Sequence, residues 1–149
     1  MSEYKEYTVR VYADRTAYYN SKGQFHREDR PAVEYTSGTK HWYLNGKLHR
    51  ADGPAVEYFD GYKAWYLNGK CHREDGPAVE WDNGYKAWYL NGKCHRVNGP
   101  AVEFTDGSKE WRLNGRILTE EEFNQLTKKT SCAEKVVEID GNKYKLTEV

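Results

Sequence analysis

The segment His-Arg-x-Asp-Gly-Pro-Ala-Val-Glu, or a near copy of it, returns along the chain every 23 residues. Pro31, Pro54, Pro77 and Pro100 keep that interval, as do Trp42, Trp65, Trp88 and Trp111, and His26, His49, His72 and His95. A fixed period of this length is the mark of one supersecondary unit stacked on copies of itself. A single unit cannot bury its apolar side alone, so its neighbours must do it.

Residues 47–69 serve as one unit. Asn68-Gly69 predicts a type I′ turn, which needs positive φ at both central residues, and the pair recurs as Asn45-Gly46, Asn91-Gly92 and Asn114-Gly115. A second turn ends in Gly38, Gly61, Gly84 or Gly107 and fits a three-residue hairpin loop with glycine at the left-handed position. Between the turns, 55–58 and 63–67 read as short strands. Alternation sets Val56 and Tyr58 with Trp65 and Leu67 in one apolar layer, and Ala64 and Tyr66 with Glu57 on the opposite face. This reading expects Trp65 and Trp88 to be buried against Val56, Tyr58, Val79 and Trp81. Pro54 should interrupt pairing, since proline cannot donate to a ladder.

Two strands per unit, spaced ~4.8 Å, advance the sheet ~10 Å per repeat. The predicted fold is mainly β: an elongated antiparallel β-meander of 23-residue hairpin repeats, with a small C-terminal helix plus β-hairpin cap. Residues 1–23 read as a degenerate N-terminal capping repeat, in which Tyr12 aligns with Tyr35 and Tyr19 with Trp42. Residues 24–116 hold four repeats. Residues 117–149 form the cap: Thr119 and Glu122 make a capping box for a helix over 119–130, with Phe123 and Leu126 facing inward. A hairpin follows, with strands at 136–139 and 144–146 and a turn at Asp140-Gly141-Asn142. This tail is expected to cover the last sheet edge, which would otherwise invite edge pairing.

Leu, Ile, Val and Phe make up roughly a sixth of the chain, a level that often accompanies disorder. Zero formal net charge and 15% aromatic residues oppose that, and point to a core built from rings. The neutral balance also speaks against a general polyanion binder. No apolar run is long enough to span a membrane and the N-terminus has no apolar leader segment, so a cytoplasmic location is expected. Three cysteines, an odd number, suit a reducing compartment.

The run Trp65-Tyr66-Leu67-Asn68-Gly69-Lys70-Cys71-His72-Arg73-Glu74-Asp75-Gly76 resembles the MORN repeat, a 23-residue motif with a Trp-x-Asn-Gly-Lys-x-His-Gly-x-Gly core. The resemblance covers residues 20–116. It departs where Arg follows His in place of Gly, and where Pro-Ala-Val-Glu stiffens the segment. The chain most resembles the Tyr-Leu-Asn-Gly-Lys-x-His-Arg repeat proteins of bacteriophages and large DNA viruses, some of which end in a Thr-Glu-Glu-Glu-Phe helix like residues 119–123 here. What the resemblance implies is a meander sheet that binds proteins or, in some MORN proteins, phosphoinositide membranes. It implies the host cytoplasm as the location of a viral member, and no catalytic residues.

The histidine row, each member followed by Arg and then by Asp29, Asp52, Asp75 or Asn98, could be a row of metal sites. Copies ~10 Å apart cannot share one ion, so His and Asp are expected to tie down the kink before Pro. Cys71 and Cys94 share their slot with Leu48 and Ile117 and read as small hydrophobes. No Ser-His-Asp order, phosphate loop, zinc spacing or carboxylate pair stands out. The chain is therefore read as a non-enzymatic binding module with no catalytic residue, metal or cofactor.

Its partner is expected to be a protein, with the contact centred on Phe59, Tyr62, Tyr66, Tyr85 and Tyr89. These slots carry rings in the middle units but Thr36, Thr39, Ser108 or Arg112 in outer ones, so the scaffold does not demand a ring there. The alternative is a ligand binder for single-stranded nucleic acid or a small phosphorylated molecule, using Tyr43, Tyr66 and Tyr89 with Lys40, Lys63, Lys86 and Lys109 as one stacking face. A homodimer is left open.

Overall fold

Strands of two residues stay in register only if their turns fix them. The protein's structure, a computed structural model, describes residues 6–131, 136–139 and 142–145. Asn45, Asn68, Asn91 and Asn114 have φ of 50–52° and the glycine after each has φ of 74–85°. These are the two successive left-handed residues of a type I′ turn, expected from the Asn-Gly pairs. At the other turn, Tyr58 N–H donates to the Tyr62 carbonyl at 2.9 Å and Gly61 N–H to the Tyr58 carbonyl at 3.2 Å. That closure counts the register outward: Glu57 faces Lys63 and Val56 faces Ala64.

Repetition of this hairpin builds one antiparallel sheet of eleven strands in meander order. In each unit the strand then leaves the large sheet. Trp65 N–H donates to the Ala78 carbonyl at 2.8 Å, the Trp65 carbonyl accepts from His72 N–H at 3.0 Å, and Tyr66–Leu67 pairs with Lys70–Cys71 in a separate short hairpin. Histidine stitches these hairpins together. Nδ1 of His26, His49, His72 and His95 accepts the backbone N–H of Asn45, Asn68, Asn91 and Asn114 in the turn of the next short hairpin, at 2.9–3.1 Å. The row is structural, but its target differs from expectation: it holds the next turn rather than the kink before Pro.

The register corrects the expected division of faces. Val56 shares a face with Ala64, and Glu57 shares the other with Lys63. The buried core is therefore aliphatic and small. Ala55, Ala64, Ala78, Ala87 and Ala101 are fully buried, and Val33, Val56 and Val102 are 2–6% exposed. Trp65 and Trp88 are half-buried on the Glu57 side, away from Val56 and Val79. A single sheet has no second layer to enclose an indole.

Arginine supplies the cover instead. The guanidinium carbons of Arg50, Arg73 and Arg96 lie 4.2, 4.0 and 3.8 Å from the ring centroids of Trp42, Trp65 and Trp88. Arg50 also donates to the Pro54 carbonyl at 3.2 Å, to Glu57 at 2.9 Å and to Asp52 at 3.0 Å. A Cβ on Gly53 would sit 2.9 Å from the Arg50 guanidinium carbon, a contact that a shift of the side-chain end can relieve; the first repeat carries Arg30 in this slot and keeps the Arg27 stack. In the first unit Tyr18, not Tyr19, takes the Trp position. Its N–H bonds to Ala32 at 2.8 Å and Arg27 lies 3.8 Å over its ring. The shift arises because the loop Ser21-Lys22-Gly23, closed by Asn20 N–H on the Gln24 carbonyl at 3.0 Å, is one residue longer than Asn-Gly.

The helix spans Glu120–Ser131. Glu122 N–H donates to Thr119 Oγ1 at 3.2 Å and Thr119 N–H to the Glu122 carboxylate at 2.8 Å, which is the expected capping box. Phe123 is 3% exposed and stacks 4.7 Å from Trp111. Leu126, expected inside, is 46% exposed. The strands Val136–Ile139 and Asn142–Lys145 pair with each other in a sheet of their own. The expected turn at Asp140-Gly141, the end of the second strand at Leu146, and Cys132 lie outside the described residues.

Two substitutions test the clamp. His72→Ala removes the acceptor of Asn91 N–H and should cost about 1–2 kcal/mol. Arg73→Ala removes the cover of Trp65 together with the bonds to Asp75 and the Pro77 carbonyl, and should cost about 1–2 kcal/mol. Urea denaturation followed by tryptophan fluorescence measures both; wild-type midpoints would show that neither contact bears on stability.

Candidate interaction surface

Four of the expected partner-binding rings fall on the Val56–Ala64 face, whereas the sequence reading sets Tyr66 on the side of Glu57. Tyr66 is the cross-strand partner of Cys71, and Tyr89 of Cys94. Tyr85 and Tyr89 pack against the buried cluster of Ala87, Cys94, Ala101 and Val102. Tyr62 lies between Tyr58, at 4.9 Å, and Trp81, at 4.8 Å. The run continues backward through His41, 5.9 Å from Tyr58, to Tyr35, 5.5 Å from His41. Tyr85 meets Phe104 edge-on at 5.8 Å. Rings flank the Ala/Val rows on both sides, and these rings are what hide the small core.

Phe59 stands apart from this packing. It occupies the tip of the three-residue loop and is 73% exposed. Tyr62, Tyr66, Tyr85 and Tyr89 are half-buried. The structure therefore brings four of the five expected residues onto one face and sets Phe59 at its margin. Strand positions on this face carry no formal charge from Val33 to Phe104. Charge returns in the last unit, where Arg112 donates to Glu110 at 2.6 and 2.8 Å.

The lysines do not join the tyrosines. Lys40, Lys63, Lys86 and Lys109 each face a glutamate across the ladder, on the side that carries the Arg–Trp stacks. The single Tyr/Lys face on which the nucleic-acid alternative relied is split between the two sides of the sheet. Counting out from the three-residue loop would have revealed this in the sequence.

Burial sets the ionisation of the face. It pushes the Cys71 thiol up to about 12 and raises that of Cys94. Both thiols are therefore protonated at neutral pH, and they point at the carbonyls of Ala78 and Ala101, at 3.8 and 3.7 Å. His41 fills the slot held elsewhere by Ala64 and Ala87. Burial lowers its pKa, and its Nε2 is buried without a hydrogen-bond partner. Among the described residues no three His, Cys, Asp or Glu side chains are placed to hold a metal ion, and no helix is long and apolar enough to cross a membrane.

The sequence reading missed the grooves of the opposite face. Between successive His-Arg-x-Asp-Gly-Pro loops lie three adjoining cavities of about 320, 790 and 460 Å³, walled by Trp42, Trp65 and Trp88 respectively. The signal was present in the constant interval between each Trp and the Arg that covers it. Comparison of the chain with protein-family models, curated proteins and solved structures gave no match in any of the three.

The phenols make the aromatic face testable by pH. Burial raises Tyr62 from 10.0 to about 12 and, as the first cause in each, raises Tyr43, Tyr66, Tyr85 and Tyr89. Each phenol thus ionises earlier in the unfolded chain than in the folded one. Stability from this source is complete below pH 10.0 and is lost as pH climbs toward 12. Tyr62→Phe should flatten that fall. Urea midpoints measured on both sides of pH 10.0 check it, and a flat wild-type profile would place the rings in water.

Proposed function

We propose that the protein is a non-enzymatic binding module that grips a partner protein through the aromatic face of its middle repeats. The observation that carries this reading is the set of uncharged rings on one face, linked from Tyr35 to Trp81 and again from Tyr85 to Phe104, with Tyr58, Phe104 and, at 73%, Phe59 exposed. Contiguous aromatic surface is costly to leave in water and is typical of the anchors of protein interfaces. The rigid ladder beneath it holds the rings in place before contact, which limits the entropy lost on binding. The resemblance to phage and viral repeat proteins supports a narrower form of the proposal, in which the partner is a host protein whose activity is blocked.

Salt and substitution test the reading together. An apolar interface keeps its affinity as salt rises, whereas phosphate contacts lose it steeply. Phe59→Ala should leave stability within about 0.5 kcal/mol and weaken capture of the partner. Tyr62→Ala should both weaken capture and destabilise, because its ring lies between Tyr58 and Trp81. Capture from nuclease-treated lysate that survives high salt and falls with Phe59→Ala supports the proposal. Capture abolished by nuclease, or unchanged in both variants, refutes it.

A further inference from the structure

The large sheet has an open end. Its first strand, Thr8–Val11, pairs on one side with Arg15–Tyr19, and among the described residues no strand pairs on the other. All four residues are exposed, Val9 at 48% and Val11 at 78%. At the far end the helix lies against the last two strands, with Phe123 on Trp111. The devices that usually blunt an edge are sparse at Thr8–Val11: it has no proline and no bulge, and its one charge is Arg10.

The ladder fixes which backbone groups are free. Tyr12 N–H donates to the Arg15 carbonyl at 2.8 Å. Hydrogen-bonded positions alternate along an antiparallel pair, so Arg10 and Thr8 also turn their backbone groups inward, toward Ala17 and Tyr19. The N–H and C=O of Tyr7, Val9 and Val11 therefore point outward, where they template a further strand. Side chains follow the same phase. Arg10 faces Ala17, on the aromatic side, and Val9 faces Tyr18, on the grooved side. Tyr7 joins Val9 there, 6.3 Å from the Tyr18 ring.

This edge is complementary to itself. Laid antiparallel on a second copy with Val9 opposite Val9, it brings Tyr7 opposite Val11 at both ends. Every one of these positions is an outward one, so the three pairs exchange about six backbone hydrogen bonds. Apolar side chains meet on the grooved side, and Arg10 comes opposite Thr8 on the aromatic side. A shift one way that keeps the outward groups paired sets Arg10 against Arg10, which like charges disfavour. A shift the other way carries Val11 past Tyr7 and loses the central valine pair. Zero formal net charge leaves no general repulsion between copies.

We propose that two copies join edge to edge through Thr8–Val11, antiparallel and centred on Val9, into one continuous sheet. The two-fold axis of such a pair stands perpendicular to the sheet, so the two aromatic faces look the same way. The inference stands independently of what the aromatic face binds.

Sedimentation velocity of the full chain across the micromolar range tests it, and a reversible monomer–dimer equilibrium is expected, because a four-residue edge is a small interface. Val9→Pro removes the N–H donors of the central pair but none that serves within the chain. It should raise the dimer dissociation constant about tenfold while circular dichroism stays that of the folded chain. Val9→Lys, which demands no change of backbone, sets like charges opposite one another and should act in the same direction. Phe59→Ala should leave the dimer intact. The register is read by cross-linking with oxidised glutathione in a Cys132→Ser background. Val9→Cys should form a disulfide dimer, since Cα atoms across such a pair lie ~5.5 Å apart. Arg10→Cys should not, since its two copies are displaced ~7 Å along the strand. A chain that stays monomeric throughout, a dimer that survives Val9→Lys, loss of the dimer with Phe59→Ala, or cross-linking at position 10 in place of position 9 overturns the proposal.

Discussion

Arg73 touches the face of Trp65, the Pro77 carbonyl and the carboxylate of Asp75, and reaches toward Glu80. These groups come from the strand of one unit, its loop, and the strand that begins the next. The strands of the large sheet are only two residues long through the middle units, extended at their ends by single backbone bonds such as Ala55 N–H to the Ala64 carbonyl at 2.9 Å. The guanidinium joins the short ladder to the loop. The same arginine lines the grooves, so on this side the parts that stabilise the sheet are also its exposed chemistry.

Much of the fold was legible because the turns declare themselves. Asn68-Gly69 and the loop ending at Gly61 both took the expected conformations, and with them came the meander and the capped helix. The faces were misread because the phase between two strands depends on the count across the loop, not on alternation within either strand. Tyr58 pairs with Tyr62, so Val56 must meet Ala64, and the tryptophans fall to the other side. Composition then misled in the same direction. Abundant rings suggested a ring-filled core, whereas a one-layer sheet can fully bury only alanine and valine and must spread its rings as a partial cover.

The candidate surface was legible to a different degree. Comparing repeats separated slots the scaffold fixes from slots it leaves free, and the free slots at Tyr62, Tyr66, Tyr85 and Tyr89 fall on one face. The grooves were hidden by the opposite logic. Their walls are the most regular residues in the chain, and regularity reads as scaffold. Nothing in a single unit shows that the space between two copies is hollow, since the cavity belongs to neither.

The two faces differ in how they can vary. On the aromatic face, exchanging one ring for another alters shape while the alanines and valines beneath still pair, so specificity can drift with little loss of fold. On the grooved face, Trp65 and Arg73 constrain one another, and variation is greatest at the exposed edge. The edge shows that freedom: Glu74 is matched by Ala51 in the preceding unit and Val97 in the next, and Asp75 by Asn98. Acidic character thus concentrates in the first two cavities and fades in the third, where Val97 is 60% exposed.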